Sequence, residues 1–297
     1  MTRPEDIKKR IGNIRDIEGI VTTLRAMSVL HQQEARIHLA AIRSQAATVA
    51  GALASVLSAG TAPRQSSTSD LDRSDSGMTI VVGVAQGFSG AFAGQIAEAA
   101  LTESAAGRRL LVVGNRTIST LAEADVSPLW SSELPPRPAN VPPLASKLAD
   151  ALFDLLAKSA GTSVTILFGD PDSPGQPVIE RSLFPFDFRR FPATGAALPL
   201  TTIAPHRLVS ALAAEYVFTE LCEALMLGFA AEDAARVAAM SRAQTNVKKI
   251  RAELTATYQR ARQEQATTEI VELSSANLQN RSGRDRTHVA RLQSRAR

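Results

Sequence analysis

Residues 205–279 read PHRLVSALAAEYVFTELCEALMLGFAAEDAARVAAMSRAQTNVKKIRAELTATYQRARQEQATTEIVELSSANLQ. No proline follows Pro205, and Gly228 is the single glycine before Gly283. Nothing in the stretch stops a helix, so the spacing predicts one helix of roughly 70 residues, about 100 Å at ~1.5 Å per residue. Globular helices average ~11 residues, and a compact domain cannot bury an element that long. It must project, or lie inside something else. Leu208, Leu212, Thr219, Met226, Val237, Met240, Val247, Leu254 and Ala261 mark its apolar face. From Met240 the steps are seven residues each, a seam that wants a partner helix.

The partner lies at the other end of the chain. From Glu5 to about Ser58 there is again no proline, and Ile7, Ile11, Ile14, Ile17, Val21 and Leu24, then Leu39, Ile42, Ala46, Val49, Leu53 and Val56, recur at three/four spacing. Pro4 suits a first helical turn, and Glu5 and Asp6 favour the positive helix start. Two long amphipathic helices at the termini pair most simply as an antiparallel coiled coil. Between Ser28 and Arg36 the stripe is broken by His31, Gln32, Gln33 and Glu34. That segment reads as solvated coil surface, or as a wet collar inside another protein.

The middle of the chain changes period. Thr61–Gly77 is rich in Ser, Asp and Thr and reads as a connection. Met78–Ala85 and Leu110–Gly114 are apolar runs of strand length, and Ser163–Phe168 is a third. Helical patterns follow at 90–105, 118–124 and 144–160. Asp170–Gly175 signals a turn, and the alternating Val178–Phe184 is expected to return antiparallel. Strands separated by helices make a small α/β domain with a mostly parallel sheet. The expected organisation is an N-terminal coiled-coil helix at 1–60, a linker at 61–77, an α/β foot domain at 78–204, a C-terminal coiled-coil helix at 205–279 and a basic tail at 280–297.

Composition narrows the function. The 4% aromatic content suits an Ala/Leu/Ile/Val coil better than a large globular core. The single Cys222 excludes an intrachain disulfide and a cysteine metal cluster. No unbroken apolar run approaches the ~20 residues that span a bilayer. The tail holds Arg281, Arg284, Arg286, Arg291, Arg295 and Arg297 against Asp285, without interleaved aromatics. It reads as a solvated end rather than a nucleic-acid site.

The most enzyme-like feature is the turn after the first strand, VVGVAQGFSGAFAG, with Gly83, Gly87, Gly90 and Gly94. Backbone amides there would suit a phosphate at a helix start, with Asn115-Arg116 near a 2′-phosphate. The spacing is G-x-x-x-G-x-x-G rather than G-x-G-x-x-G, so tight turning and close helix–sheet packing explain it more simply. Ser89 lacks the G-x-S-x-G context of a hydrolase. None of the lysines follows a phosphate-binding loop, and His31, His38, His206 and His288 have no metal-ligand spacing. His31 and His38 share a face and read as coil surface. No acid–base pair assembles and no cofactor is expected, so a mechanical or scaffold role is favoured.

Three segments carry a resemblance. Glu232-Asp-Ala-Ala-Arg236-Val-Ala-Ala-Met240-Ser-Arg-Ala-Gln-Thr-Asn246 is followed by Tyr258-Gln-Arg-Ala-Arg262-Gln263-Glu-Gln-Ala-Thr267-Thr-Glu-Ile-Val-Glu-Leu. The run resembles the γ subunit of F-type ATP synthases, the central rotor shaft, in its E-x-A-x-R-x-x-A-M-x-x-A-T-x-N and Y-N-x-A-R-Q-x-x-I-T-x-E patterns. Gln86-Gly87-Phe88-Ser89-Gly90 corresponds to the family's D-R-G-L-C/A-G turn, with Ala85 and Gln86 in place of Asp-Arg. Leu24 and Arg25 fall at the family's K-A-M segment in an ungapped register. A three-residue insertion would set Arg25-Ala26-Met27 there, but the ungapped register keeps the Ile7–Ile11–Ile14 face in phase. The polar 28–36 segment and the chain beyond Ala276 depart from the family, as a sodium-translocating branch would.

The resemblance implies a non-catalytic rotor that couples ion flow to ATP synthesis or hydrolysis on β subunits. It implies as partners a hexamer of α and β subunits, the ε subunit and the c-subunit ring. No nucleic acid enters, and membrane contact runs through partners alone, on the cytoplasmic face of the bacterial inner membrane. Partner-interface residues carried over are Leu24, Arg25, Met27, Gln86, Phe88, Arg236, Met240, Asn246, Arg262, Gln263 and Thr267. Arg25, Arg262 and Gln263 are expected to carry torque, while Gly12, Gly19, Ser274, Ser275 and Ala276 suit a smooth bearing. The competing readings are a non-rotating coiled-coil scaffold with a ligand-sensing insert and an NADP-binding enzyme.

Overall fold

The structure is a computed structural model that describes residues 4–57, 77–159, 162–173, 176, 178–185 and 202–294, the side chains of 205 and 276–294 excepted. In chain order the elements are α1 (Pro4–Val56), β1 (Met78–Val82), α2 (Phe92–Ala105), β2 (Arg109–Val113), α3 (Asn115–Glu123), β3 (Trp130–Ser132), α4 (Val141–Lys158), β4 (Val164–Phe168), β5 (Ile179–Phe184) and α5 (Pro205–Ser294). They fall into two compact units, Met1–Thr23 with Arg242–Arg297, and Leu24–Ser241. The expected connection at 61–77 lies outside the described residues except for Gly77.

In the first unit α1 and α5 run antiparallel. Arg251 pairs with Glu18, and further along α1 the earlier residue Gln244 donates to the Thr22 hydroxyl. Ile7, Val21 and Val247 are buried, and Ile11, Ile14, Leu254 and Ala261 are half-buried. These apolar steps therefore form the seam, as a coiled coil requires, while Ile17, expected on the same face, is 44% exposed and lies off it. The seam stops at Ala261: every described side chain from Arg262 to Ser275 is exposed. Gly12 and Gly19 face open space.

The second unit is built on a five-stranded sheet of order β3-β2-β1-β4-β5. β1 pairs parallel with β2 and β4, β2 pairs parallel with β3, and β5 returns antiparallel on β4. All five residues of β1, MTIVV, are buried, because a central parallel strand is covered on both faces. Met78, Ile80 and Val82 join Leu144, Leu148 and Leu152 of α4 and Val217, Leu221 and Leu225 of α5. Val81 joins Leu110, Val112 and Leu167 with Phe92 and Ile96 of α2 and Leu121 of α3. Side chains alternate between these two cores with period two, so the sheet is sandwiched between helical layers.

Within this unit α1 and α5 are again antiparallel. Arg43 donates to Glu223 at 2.8 Å and Gln45 to Glu215 at 2.7 Å, while Val49, Leu53 and Ala54 pack around Tyr216. Arg181 of β5 ties the sheet edge to α5 through Glu220 and Glu223. Its guanidinium also lies 4.8 Å above the Phe168 ring. Gly228 sits where α5 crosses β1; a Cβ there would collide with a Val82 methyl.

Four readings change. Trp130–Ser132 forms a short edge strand that the sequence does not announce, because three residues with two serines carry no alternating pattern. α4 starts at Val141 with prolines in its first turn, where a missing N–H costs nothing, and α5 runs on to Ser294. One stretch of α1 is long and apolar enough, by length and composition alone, to cross a membrane. A search for unbroken apolar runs passes over it because small and polar residues interrupt it. The Asp170 turn forms as expected, with the Asp170 carboxylate accepting from the Asp172 amide at 2.9 Å.

Candidate functional site

The loop after β1 is shaped by two glycines. A Cβ on Gly83 would strike Thr117 of α3, and Gly114 holds φ 110° with Gly83 and Val84 backbone atoms within 2.9 Å of where its Cβ would be. Thr117 accepts from the Val84 amide at 2.9 Å, and the Val84 carbonyl accepts from the Arg116 and Thr117 amides that open α3. The next two amides of the loop, those of Ala85 and Gln86, donate to the two oxygens of the Glu232 carboxylate at 2.9 and 3.0 Å. The amides that a dinucleotide phosphate would recruit are thus engaged by the chain itself. A side-chain anion fills the nest. Gly87 and Gly94 have nothing near them and impose no packing.

Glu232 belongs to a buried polar cluster on α5. Arg236 pairs with both Glu232 and Asp233. It also donates to Ser28 of α1 at 3.4 Å and to the Gly87 carbonyl at 3.5 Å. His31 lies 3.5 Å from Asp233 and 5.9 Å, ring to ring, from Phe229. Burial pushes the Glu232 carboxyl above its ordinary range, against the Ala85 amide, Arg236 and the Gln86 amide, which pull it down. Burial likewise raises Asp233, outweighing the Ser28 hydroxyl, Arg236 and His31. In both cases burial outweighs the Arg236 guanidinium, and for Glu232 the neighbouring Asp233 charge adds a small further rise.

This corrects the reading of residues 28–36 as solvated surface. Ser28 and Ala35 are buried and His31 is half-buried. Within the break, Ser28 and His31 meet the charged Arg236 and Asp233 of α5, whereas Gln33 and Arg36 remain exposed.

Four of the carried-over residues meet here. Leu24, Met27, Gln86 and Arg236 line one cleft of about 50 Å³, walled also by Phe229, Glu232 and the Pro135-Pro136 turn. Phe88 stands at the loop tip, 69% exposed, with φ 68°. Met240 is buried and Arg25 exposed. In the first unit Asn246, Arg262, Gln263 and Thr267 are all exposed. Sequence reasoning singled out Arg236 but passed over Glu232, Asp233, Ser28 and His31. The signal was present: in AAEDAARVAAM, residues 230–240, the charges stand alone in an alanine helix at i, i+3 and i+4 spacing.

An antiparallel pair of terminal helices carrying an inserted α/β sheet defines a coiled-coil stalk protein. The fold is that of a chain in Euglena gracilis mitochondrial ATP synthase, OSCP/F1/c-ring, in rotational state 3, with TM-score 0.60, 11% identity and 95% of each chain covered. A chain of the Tetrahymena thermophila mitochondrial ATP synthase central stalk and c-ring gives TM-score 0.51 at 16% identity, covering 75% of this chain and 99% of that one. The ATP synthase family matches residues 3–277. The ATP synthase gamma chain of Ruminococcus albus is 40% identical over 79 residues, 27% of this chain and 28% of that one. The Bdellovibrio bacteriovorus gamma chain is 28% identical over 141 residues, 44% and 48% of the two chains. The matched stretches thus span about a quarter to a half of these relatives. The chain belongs to the ATP synthase family, as a gamma chain. F1 central stalks are peripheral to the membrane, on the side of the catalytic head.

Proposed function

We propose that the chain is the central-stalk rotor that couples ion flow through a membrane ring to ATP synthesis or hydrolysis on β subunits, without catalysing either itself. The observation that carries this is the far part of α5. From Arg262 to Ser275 no described side chain is covered, and Ile270, Val271 and Leu273 are 65%, 58% and 69% exposed. Three large apolar side chains exposed within four residues suit a surface that another protein covers. A hexamer of α and β subunits supplies that covering sheath, with the ε subunit and a c-ring at the other end. The Euglena and Tetrahymena structures contain such a c-ring.

A pair of helices is asymmetric in cross-section, so each β subunit meets a different face. Rotation then favours the β conformations in turn, by differential contact. The membrane is reached through partners alone, at the cytoplasmic face of a bacterial inner membrane, and the departures from the family pattern suit a sodium-translocating branch.

The test is purification of the tagged full chain from its own cells, followed by ATP-driven ion pumping in vesicles. Co-purification with a nucleotide-binding hexamer, and pumping that its depletion abolishes, are expected. A chain recovered alone, with pumping intact after its depletion, rejects the rotor and leaves the scaffold.

A further inference from the structure

We propose that Glu232 is a positioning residue: its carboxylate fastens the β1–α2 loop to α5 and so sets how Phe88 is presented to the β subunits of the rotor reading. The proposal deepens the rotor reading and rests on it for the partner.

Phe88 combines two unfavourable features. It is a bulky residue at φ 68°, and the residue is 69% exposed. Left-handed backbone at such a residue is strained and persists only where the surroundings impose it. Here the surroundings do. Upstream, the Ala85 and Gln86 amides both end on Glu232. At the residue before Phe88, the Gly87 carbonyl accepts from Arg236, which is itself paired with Glu232. Downstream, Ser89 is buried and Phe92 anchors α2 in the core. Phe88 is thus an aromatic held rigidly in solvent between fixed points, the form that an interface anchor takes.

Glu232 is suited to this part because it reaches the loop and the helix at once. One oxygen serves Ala85; the other serves both Gln86 and Arg236. The loop carries Ala85 and Gln86 where the family pattern carries an acid and a base. The loop is attached to α5 through its backbone amides.

The experiment compares wild type with Glu232→Ala, Glu232→Gln, Phe88→Ala and the double variant E232A/F88A, as full chains and in the assembled complex. Amide exchange reports the clamp. Ala85 and Gln86 are expected to exchange at least roughly tenfold faster in E232A, less so in E232Q, with Val81 and Leu111 unchanged, since only local opening is affected. Ions pumped per ATP hydrolysed report the presentation. The ratio is expected to fall by similar factors in E232A and F88A and no further in the double variant, because residues that act through one contact are not additive.

Unchanged Ala85 and Gln86 exchange overturns the clamp. Faster exchange with an unaltered pumping ratio overturns the link to the partner, and multiplied losses in the double variant overturn action through Phe88. A wild-type complex that pumps nothing overturns the rotor reading and the partner with it, while the exchange data still judge the clamp.

Discussion

Ser89 is the residue where the chain carries its clearest local fault. Its hydroxyl is buried and has no hydrogen-bond partner among the described residues, and a buried polar group left unpaired costs about 1–3 kcal/mol. Ser89→Ala should raise the unfolding free energy by about 1 kcal/mol, read from urea midpoints at constant slope; an unchanged or lowered midpoint would show that the hydroxyl is satisfied. Charge gives a second prediction. Burial pushes Glu223 up, but hydrogen bonds and charge from Arg43 and Arg181 win and hold it below the ordinary value of 4.5. A lowered carboxylate adds stability above its unfolded pKa and loses it as pH falls through the folded one. Glu232 and Asp233 are raised, so their contribution runs the other way and declines as pH rises above the ordinary carboxylate range. Removing Glu223 therefore removes a gain that is present above its ordinary pKa and fades towards acid. Glu223→Gln should lower stability near neutrality and flatten its rise between about pH 3 and 5; urea midpoints across that range that keep the wild-type slope would refute the assignment. The sequence singles out Ser89 only as a hydrolase nucleophile, which its context does not suit, and does not single out Glu223 at all. Ser89 resembles any loop serine, and Glu223 any helix-surface acid, until Arg43 and Arg181 arrive from 180 and 42 residues away.

Gly228 carries the argument at the scale of elements. In sequence it was only the single interruption of a long helical pattern; in the structure it is the point where α5 passes over β1, with a Val82 methyl in the space a Cβ would take. Alanine there gains up to ~1 kcal/mol of helix propensity but overpacks a filled core, which costs about 1–3 kcal/mol. Gly228→Ala should therefore be net destabilising by about 1 kcal/mol. In a Val82→Ala background, where the colliding methyls are gone, the same change should become stabilising. The sign reversal, followed by thermal unfolding of the four chains of the cycle, is the outcome that matters; the same sign in both backgrounds rejects the contact. The long helices and the central strands were readable because periodicity alone encodes them: MTIVV is buried throughout, and seven-residue steps lie in a seam. β3 was not readable, since Trp130–Ser132 is a strand only because β2 offers it a partner, Trp130 opposite Leu111. The polar cluster was half-readable. Its charges on α5 were visible, but the amides of Ala85 and Gln86 that complete it have no sequence signature.

For the whole molecule, the question is what the chain cannot do by itself. The first unit pairs α1 with α5 through Ile7, Val21 and Val247, and then α5 continues exposed from Arg262. Arg262 and Gln263 contribute nothing to that seam, so any use for their side chains lies outside the chain. Alanine is at least as good a helix former as either residue, and neither is part of a buried contact. The double variant R262A/Q263A should therefore leave the helix content and the urea midpoint of the full chain unchanged. In the assembled complex the same variant should lower ATP synthesis driven by an ion gradient several-fold, because torque contacts between shaft and sheath act only when both are present. The two readouts separate the causes. A fall in helix content would make the loss one of folding, and undiminished synthesis with normal assembly would remove Arg262 and Gln263 from the coupling path, leaving the exposed Ile270, Val271 and Leu273 as the contacts to examine.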